Sequence, residues 1–163
     1  MHSDKISVSN LMNLRVQTDF EDQNIMSACK IMYTNNIGSV IIVSHDRKCG
    51  PLGIITERDV VRILGKLDPN LLQTALSTLM SKPIITIKES ASINDATKVM
   101  NNKKIRRLAV IDKNNKMIGI LTQRDIFTAI DKDPDLFSEF YGNAFSSKFK
   151  EIYERYNKYS LED

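Results

Sequence analysis

The feature that most constrains this fold is a seven-residue stretch that occurs twice. Residues 53–59 read Gly-Ile-Ile-Thr-Glu-Arg-Asp, and residues 119–125, sixty-six positions later, read Gly-Ile-Leu-Thr-Gln-Arg-Asp. In each copy an apolar pair leads into Thr-x-Arg-Asp, which predicts a buried strand that runs directly into a helix beginning at the threonine. Two copies in one chain indicate a duplicated structural unit.

The repeat extends well beyond this motif. Residues 8–12 (Val-Ser-Asn-Leu-Met) return as residues 76–80 (Leu-Ser-Thr-Leu-Met), at a spacing of 68. The decrease in spacing from 68 to 66 places two extra residues in the first copy, within residues 45–51. Insertions are tolerated in loops, and a Gly-Pro pair here indicates a turn between two strands.

Each copy predicts the order strand, helix, strand, strand, helix. In the first copy we predict a strand at 15–18, an amphipathic helix at 22–35, a fully buried strand at 40–43, a strand at 52–55 and a helix at 56–66. A connecting helix is predicted from 68 to about 80. The fold class is therefore α/β (α+β), built from two tandem repeats. The predicted boundaries are 7–66 for the first repeat, 67–75 for a linker, 76–130 for the second repeat and 131–163 for a tail.

The tail differs in composition from the rest of the chain. It holds eight of the eleven aromatic residues, and it carries eight acidic and five basic side chains. Several aromatics are spaced by four, which predicts a C-terminal helix with an apolar stripe: Phe137, Tyr141, Phe145, Phe149 and Tyr153. The stripe either covers the domain's own core or contacts a partner or second subunit, and we favour a structural role.

Composition excludes several classes of protein. At 163 residues with 42% hydrophobic side chains, the chain is long enough for a globular core. We expect no membrane span, since no run of about 18 apolar residues occurs, and no secretion signal. Two isolated cysteines indicate neither a disulfide framework nor a zinc site, so we expect a cytoplasmic protein. Residues 1–130 hold 18 basic and 12 acidic side chains, and this mildly basic body suits an anionic ligand better than a nucleic acid.

The repeated Thr-x-x-Asp allows two interpretations. One is a capping box, in which the threonine accepts a backbone N–H and the acidic group three residues later reaches back. The other is a site for a ribose phosphate, because a carboxylate can accept both hydrogens of a 2′,3′-diol while a helix N-terminus attracts phosphate. Taken alone, the motif does not decide between them.

The element order, the Gly-h-h-Thr-x-x-Asp ending (h, hydrophobic) and the tandem copies together resemble the cystathionine-β-synthase (CBS) domain family, paired as a stand-alone Bateman module. The resemblance covers about residues 7–130. It implies a pseudo-two-fold pair of repeats with two clefts, each built from both repeats. It also implies binding of AMP, ADP, ATP or S-adenosyl compounds as regulatory ligands, and assembly into a homodimer.

The family's ligand pattern carries over onto two unequal clefts. For the first cleft the resemblance implies Val16, Gln17, Ile37, Gly38, Arg106, Arg107, Thr122 and Asp125. For the second it implies Gly38, Ser39, Thr56, Asp59, Ile84, Ile85 and Ile105. The two aspartates would bind ribose, and the arginine pair would bind phosphate. Since the counterparts of the arginines are Gly38 and Ser39, which carry no charge, we predict that the first cleft binds phosphorylated nucleotide more tightly.

Other charged residues near the motifs have more than one interpretation. Lys103 and Lys104 are assigned to solvent. Arg58 and Arg124 precede the motif aspartates, and each either reaches phosphate or pairs with a neighbouring carboxylate. No constellation of nucleophile, base and orienting group is present, so we expect no enzyme, no catalytic residue, no metal and no cofactor beyond the regulatory nucleotide.

The leading interpretation is a regulatory module, such as an energy sensor, that binds an adenosine-containing ligand and signals to an unidentified effector protein. A nucleic-acid-binding protein that uses the basic body is an alternative. It is disfavoured because the aromatics that would stack on bases lie in the acidic tail. A purely structural dimerisation module whose clefts are empty is the third possibility.

Overall fold

The computed structural model describes residues 6–46 and 50–137. The predicted C-terminal helix lies almost wholly outside this range. Within it, Phe137 is buried, with 7% of its surface exposed. Residues 47–49 of the loop in which the insertion was predicted, Cys49 among them, also lie outside the described residues.

The described elements follow the predicted order in both copies. The strands are β1 (Thr18–Phe20), β2 (Ser39–Val43), β3 (Pro51–Thr56), β4 (Thr86–Lys88), β5 (Arg107–Ile111) and β6 (Met117–Thr122). The α-helices are α1 (Val8–Leu11), α2 (Ile25–Asn35), α3 (Glu57–Leu64), α4 (Leu76–Leu79), α5 (Ile93–Lys103) and α6 (Gln123–Lys132), and a 3₁₀ turn covers Pro69–Leu72. The prediction of tandem strand–helix–strand–strand–helix repeats is confirmed.

The strands form two three-stranded sheets, with orders β1-β2-β3 and β4-β5-β6. In the first sheet β1 is parallel to β2, and β2 is antiparallel to β3. The central strands β2 and β5 are buried along their middle three residues because each is a continuous apolar run covered on both faces.

Two compact units are present among the described residues. The first comprises residues 6–12, 88–108 and 121–137, and the second comprises the described part of 13–87 together with 109–120. The second unit contains a core of buried apolar side chains: Ile25, Ala28, Met32, Val40, Ile42, Ile55, Ile63, Leu76 and Met80.

The short helix that opens each repeat is hydrogen-bonded to the other repeat. The N–H groups of residues 8 and 9 donate to the carbonyls of residues 91 and 89, at 2.8 and 3.0 Å. Sixty-eight positions later, the N–H groups of residues 76 and 77 donate to the carbonyls of residues 23 and 21, at 2.7 and 2.9 Å. The N-terminal segment of each repeat is therefore exchanged with that of the other.

This exchange also explains the glycine in the first copy of the motif. Ser81 follows α4 and forms a bridge with Ile54 in β3. A Cβ atom placed on Gly53 would lie 2.5 Å from the sulfur of Met80 and 2.8 Å from the carbonyl oxygen of Ser81. Any larger residue at position 53 would push the exchanged segment away from the strand.

Two predicted boundaries are wrong. The first strand begins at Thr18 and not at residue 15 because Asn13 Oδ1 accepts the Arg15 N–H at 2.8 Å, which forms a turn before the strand. The single connecting helix is replaced by the 3₁₀ turn and α4. Between them Ala75 is extended (ψ 142°) and forms a bridge with Asn24, so a continuous helix cannot form.

None of the helices in the described part of the chain has the length and apolar character needed to cross a membrane.

Candidate functional site

The second copy of the motif places a carboxylate at the start of α6. Strand β6 ends at Thr122, which stays extended (φ −117°, ψ 159°) and caps the helix. Asp125 Oδ2 accepts hydrogen bonds from the Thr122 backbone N–H at 2.8 Å and from its hydroxyl at 2.7 Å. The Thr122 hydroxyl oxygen accepts the Asp125 N–H at 3.2 Å. The capping box is thus formed, with aspartate in the position where glutamate or glutamine is usual.

The first copy has the same geometry at the start of α3. Asp59 Oδ2 accepts the Thr56 backbone N–H at 2.9 Å and the Thr56 hydroxyl at 2.7 Å. The Asp59 N–H reaches the Thr56 hydroxyl oxygen at 3.4 Å. In both copies one carboxylate oxygen is used by the cap, and the short aspartate side chain keeps the second oxygen at the helix start.

The two copies differ at that second oxygen. Arg62 Nη1 donates to Asp59 Oδ1 at 3.4 Å. Among the residues that the structure describes, none donates to Asp125 Oδ1. The carboxylate of Asp125 therefore retains an oxygen that can accept hydrogen bonds from a ligand, whereas both oxygens of Asp59 are engaged.

The residues before each central strand are joined to the helix that follows the motif. The Gln123 N–H donates to the Arg106 carbonyl at 3.0 Å, and the Glu57 N–H donates to the Gly38 carbonyl at 3.2 Å. Arg106, whose side chain is exposed, is therefore held beside the start of α6. At the start of α3 the corresponding residue is Gly38, which carries no charge.

We call Arg106, Arg107, Thr122 and Asp125 the Asp125 site, and Gly38, Ser39, Thr56 and Asp59 the Asp59 site. Each site lies within one compact unit. Thr122 and Thr56 are the last residues of β6 and β3, and Arg107 and Ser39 are the first residues of β5 and β2. The predicted sugar- and phosphate-binding residues of the two sites thus lie at equivalent positions in the two repeats.

The remaining predicted residues immediately precede strands and are half-buried. Val16 and Gln17 lie before β1, and Ile84 and Ile85 lie before β4. These segments have equivalent backbone hydrogen bonds in the two repeats. The Gln17 carbonyl accepts the Ile41 N–H at 3.1 Å, and the Ile85 carbonyl accepts the Ala109 N–H at 3.2 Å.

Ile37 and Ile105 follow the left-handed residues Asn36 and Lys104, whose φ angles are 51° and 54°. Of the predicted residues outside the two sites, Ile105 lies in the unit of the Asp125 site; Val16, Gln17, Ile37, Ile84 and Ile85 lie in the other unit.

Arg62 is not among the residues predicted from the sequence. Arg58 and Arg124 were expected either to reach phosphate or to pair with a carboxylate; within the described ranges neither forms an ion pair, and both are exposed. The signal was present, because Arg62 lies three residues after Asp59 on the same helix face, the spacing at which charged side chains meet.

Two other groups have shifted pKa values, and neither lies in these sites. A hydrogen bond from His45, at 3.0 Å, lowers the pKa of the Asp22 carboxyl. Burial raises the pKa of the Cys29 thiol, which disfavours the nucleophilic thiolate. In the described part of the chain, no group of three or more His, Cys, Asp or Glu side chains is arranged to hold a metal ion.

A family model described as "CBS domain" matches residues 8–66 and 76–132. An uncharacterized protein of Methanopyrus kandleri is 38% identical over 121 residues, which cover 74% of this chain and 61% of the relative. A homoserine O-acetyltransferase of Methanosalsum zhilinae is 36% identical over 121 residues, again 74% of this chain but 23% of the enzyme. This chain thus spans less than two thirds of either relative.

Solved structures share the fold. A CBS domain protein of Pyrobaculum aerophilum complexed with AMP superposes with a TM-score of 0.69 at 21% identity, covering 78% of this chain and 99% of that chain. A CBS domain pair in complex with 5′-methylthioadenosine and S-adenosyl-L-methionine superposes with a TM-score of 0.69 at 24% identity, covering 78% and 98%.

Proposed function

Because the chain belongs to the CBS domain family, we propose that it is a non-catalytic regulatory module that binds an adenosine-containing ligand. The observation that carries the proposal is the carboxylate of Asp125, held at a helix start by the Thr122 cap with its second oxygen free of donors among the described residues. A ribose diol supplies two hydroxyl donors to such an oxygen, and the helix N-terminus favours an adjacent phosphate. That solved CBS pairs are complexed with AMP and with S-adenosyl compounds supports this ligand class.

The Asp125 site is proposed to bind nucleotide more tightly than the Asp59 site. The arginine pair at the start of β5 supplies positive charge for phosphate, and Gly38 and Ser39 supply none. One charge-assisted hydrogen bond contributes about 1.5–3 kcal/mol, so a difference of about tenfold or more is expected. The residues proposed for the base are those predicted from the family resemblance: Val16, Gln17, Ile37, Ile84, Ile85 and Ile105.

Regulation is proposed to work by differential affinity. A ligand that binds one conformation of the pair better than another shifts the population toward that conformation, and an effector protein reads the shift. The proposed assembly is a cytoplasmic homodimer, which light scattering on the purified protein tests directly. Exposed apolar side chains on α2 and α3, such as Tyr33 and Val61, at 90% and 70% exposure, offer surface for that association.

Thermal unfolding against AMP, ADP, ATP, S-adenosylmethionine and methylthioadenosine tests the proposed function. A ligand at about 100 times its Kd stabilises the folded state by about 2.7 kcal/mol, which raises the Tm of a chain this size by several degrees. We expect at least one ligand to do so, and Asp125→Asn to lose most of the shift. Asparagine keeps a cap acceptor and removes the charge, so the variant should still fold.

The other two interpretations predict different results. A flat ligand panel with a folded protein favours a purely structural module. Binding to an oligonucleotide whose affinity falls steeply as salt rises favours the nucleic-acid interpretation. Either result contradicts the proposal if no adenosine-containing ligand binds in a way that depends on Asp125.

A further inference from the structure

The two copies of the motif differ at the helix position three residues after the aspartate. That position is Arg62 in α3 and Thr128 in α6, which are separated by the same 66 residues as the motifs themselves. Residues three apart on a helix are neighbours, so this position faces the motif carboxylate in both copies. One copy therefore has a cation beside its carboxylate, and the other has an uncharged side chain.

In the first copy the cation is paired with the motif carboxylate. Asp59 Oδ2 accepts two hydrogen bonds from Thr56, and Arg62 Nη1 lies 3.4 Å from Oδ1. The carboxylate that is proposed to accept the ribose hydroxyls is thereby paired on both oxygens. The same oxygen of Asp125 has no donor among the described residues.

The ion pair is placed so that it can open. The Asp59 side chain is 11% exposed, while that of Arg62 is 64% exposed. The arginine therefore gives up little when it swings into solvent, and an ion pair with such an exposed partner is weak. Arg62 competes with a ligand for Asp59 but does not block the site permanently.

We propose that Arg62 lowers the affinity of the Asp59 site for ribose by competing for the carboxylate, and so sets the order in which the two sites fill. This inference rests on the proposed function, because it assumes that the motif carboxylates bind ribose. Arg62 is not among the predicted ligand-binding residues. The capping box forms without the ion pair, so the proposal gives the ion pair a separate, regulatory role.

The test isolates the Asp59 site by using Asp125→Asn as the background. Isothermal titration with adenosine, which has no phosphate for Arg62 to bind, measures the ribose interaction alone. In this background we expect Arg62→Thr, which copies the second repeat, to tighten binding about two- to fivefold, the effect of releasing one exposed ion pair. Arg62→Gln, a better helix former than threonine, should give the same gain, and Arg62→Lys, which keeps the charge, should not.

Salt supplies a second readout. Raising the salt concentration screens the ion pair, so adenosine affinity of the parent Asp59 site should rise, while that of the Arg62→Thr protein should stay constant. The reciprocal change, Thr128→Arg in an Asp59→Asn background, should weaken adenosine binding at the Asp125 site by a similar factor.

The outcomes distinguish the role of Arg62 from the proposed function. Unchanged or weaker binding in both Arg62→Thr and Arg62→Gln overturns the role of Arg62 and leaves the proposed function in place, provided that the Asp125 site binds. Adenosine binding that appears only after Arg62 is replaced supports the role. A protein that binds no adenosine at either site, with or without Arg62, overturns both.

Discussion

At the scale of single residues, Asp19 is a carboxylate buried at a strand position that favours an apolar side chain. It is 8% exposed at the middle of β1, and its Oδ2 has no hydrogen-bond partner among the residues that the structure describes. The other oxygen accepts the Phe20 N–H at 2.9 Å. Sixty-eight residues later the same strand position holds Ile87, which is also 8% exposed. The first copy thus keeps a polar group where the second has an apolar one.

We expect Asp19→Ile to raise the free energy of unfolding by about 1–3 kcal/mol, since an unsatisfied buried polar atom costs about that much. The Phe20 N–H loses its partner but belongs to a residue that is 42% exposed, so water can replace it. Urea denaturation monitored by circular dichroism gives the measurement. Ile87→Asp is the matched control and should destabilise the protein. An unchanged or lower stability of Asp19→Ile would mean that the carboxylate has a favourable interaction.

At the scale of elements, the capping boxes link stability to the sites. We expect Thr56→Ala and Thr122→Ala each to lower the free energy of unfolding by about 0.5–2 kcal/mol, because each removes the side-chain acceptor of an N-cap. Serine at the same positions should restore most of the loss. Denaturant titration of the four variants checks this, and alanine variants as stable as the parent would show that the caps contribute nothing.

The order of elements could be predicted because both copies repeat it and because the central strands are continuous apolar runs. The register of β1 could not. The predicted strand ended at residue 18, whereas the structure buries Asp19 in β1 and exposes Phe20, which stacks on His45 with ring centroids 4.1 Å apart. That contact joins residues 25 positions apart, and local patterns carry no information about it.

The candidate sites, too, could be predicted only in part. The capping boxes follow from Thr-x-x-Asp spacing, so sequence alone locates both aspartates at helix starts. The inequality of the two carboxylates depends on the Arg62 rotamer that reaches Asp59 at 3.4 Å. The i,i+3 spacing permits that contact, but spacing alone does not fix it, because an exposed arginine side chain has many rotamers.

At the scale of the whole molecule, the exchange of N-terminal segments makes each repeat depend on the other. Residues 76–77 donate hydrogen bonds to the carbonyls of 21–23, and residues 8–9 donate to the carbonyls of 89–91. A repeat separated from its partner leaves these groups unpaired, and the buried side chain of Leu76 loses its place in the core of the second unit. The repeats should therefore fold together as one cooperative system and not as two independent domains.

Cutting the connection between the repeats tests this dependence. Residues 66–68 are exposed, so a protease site inserted there should be cleaved in the folded protein. We expect the two fragments to co-elute on size exclusion after cleavage, with the parent circular dichroism spectrum, and to separate only in denaturant. A fragment of residues 1–66 produced alone should lack that structure and regain it when the second fragment is added. Fragments that separate under native conditions and remain folded would show that the exchanged hydrogen bonds do not hold the repeats together.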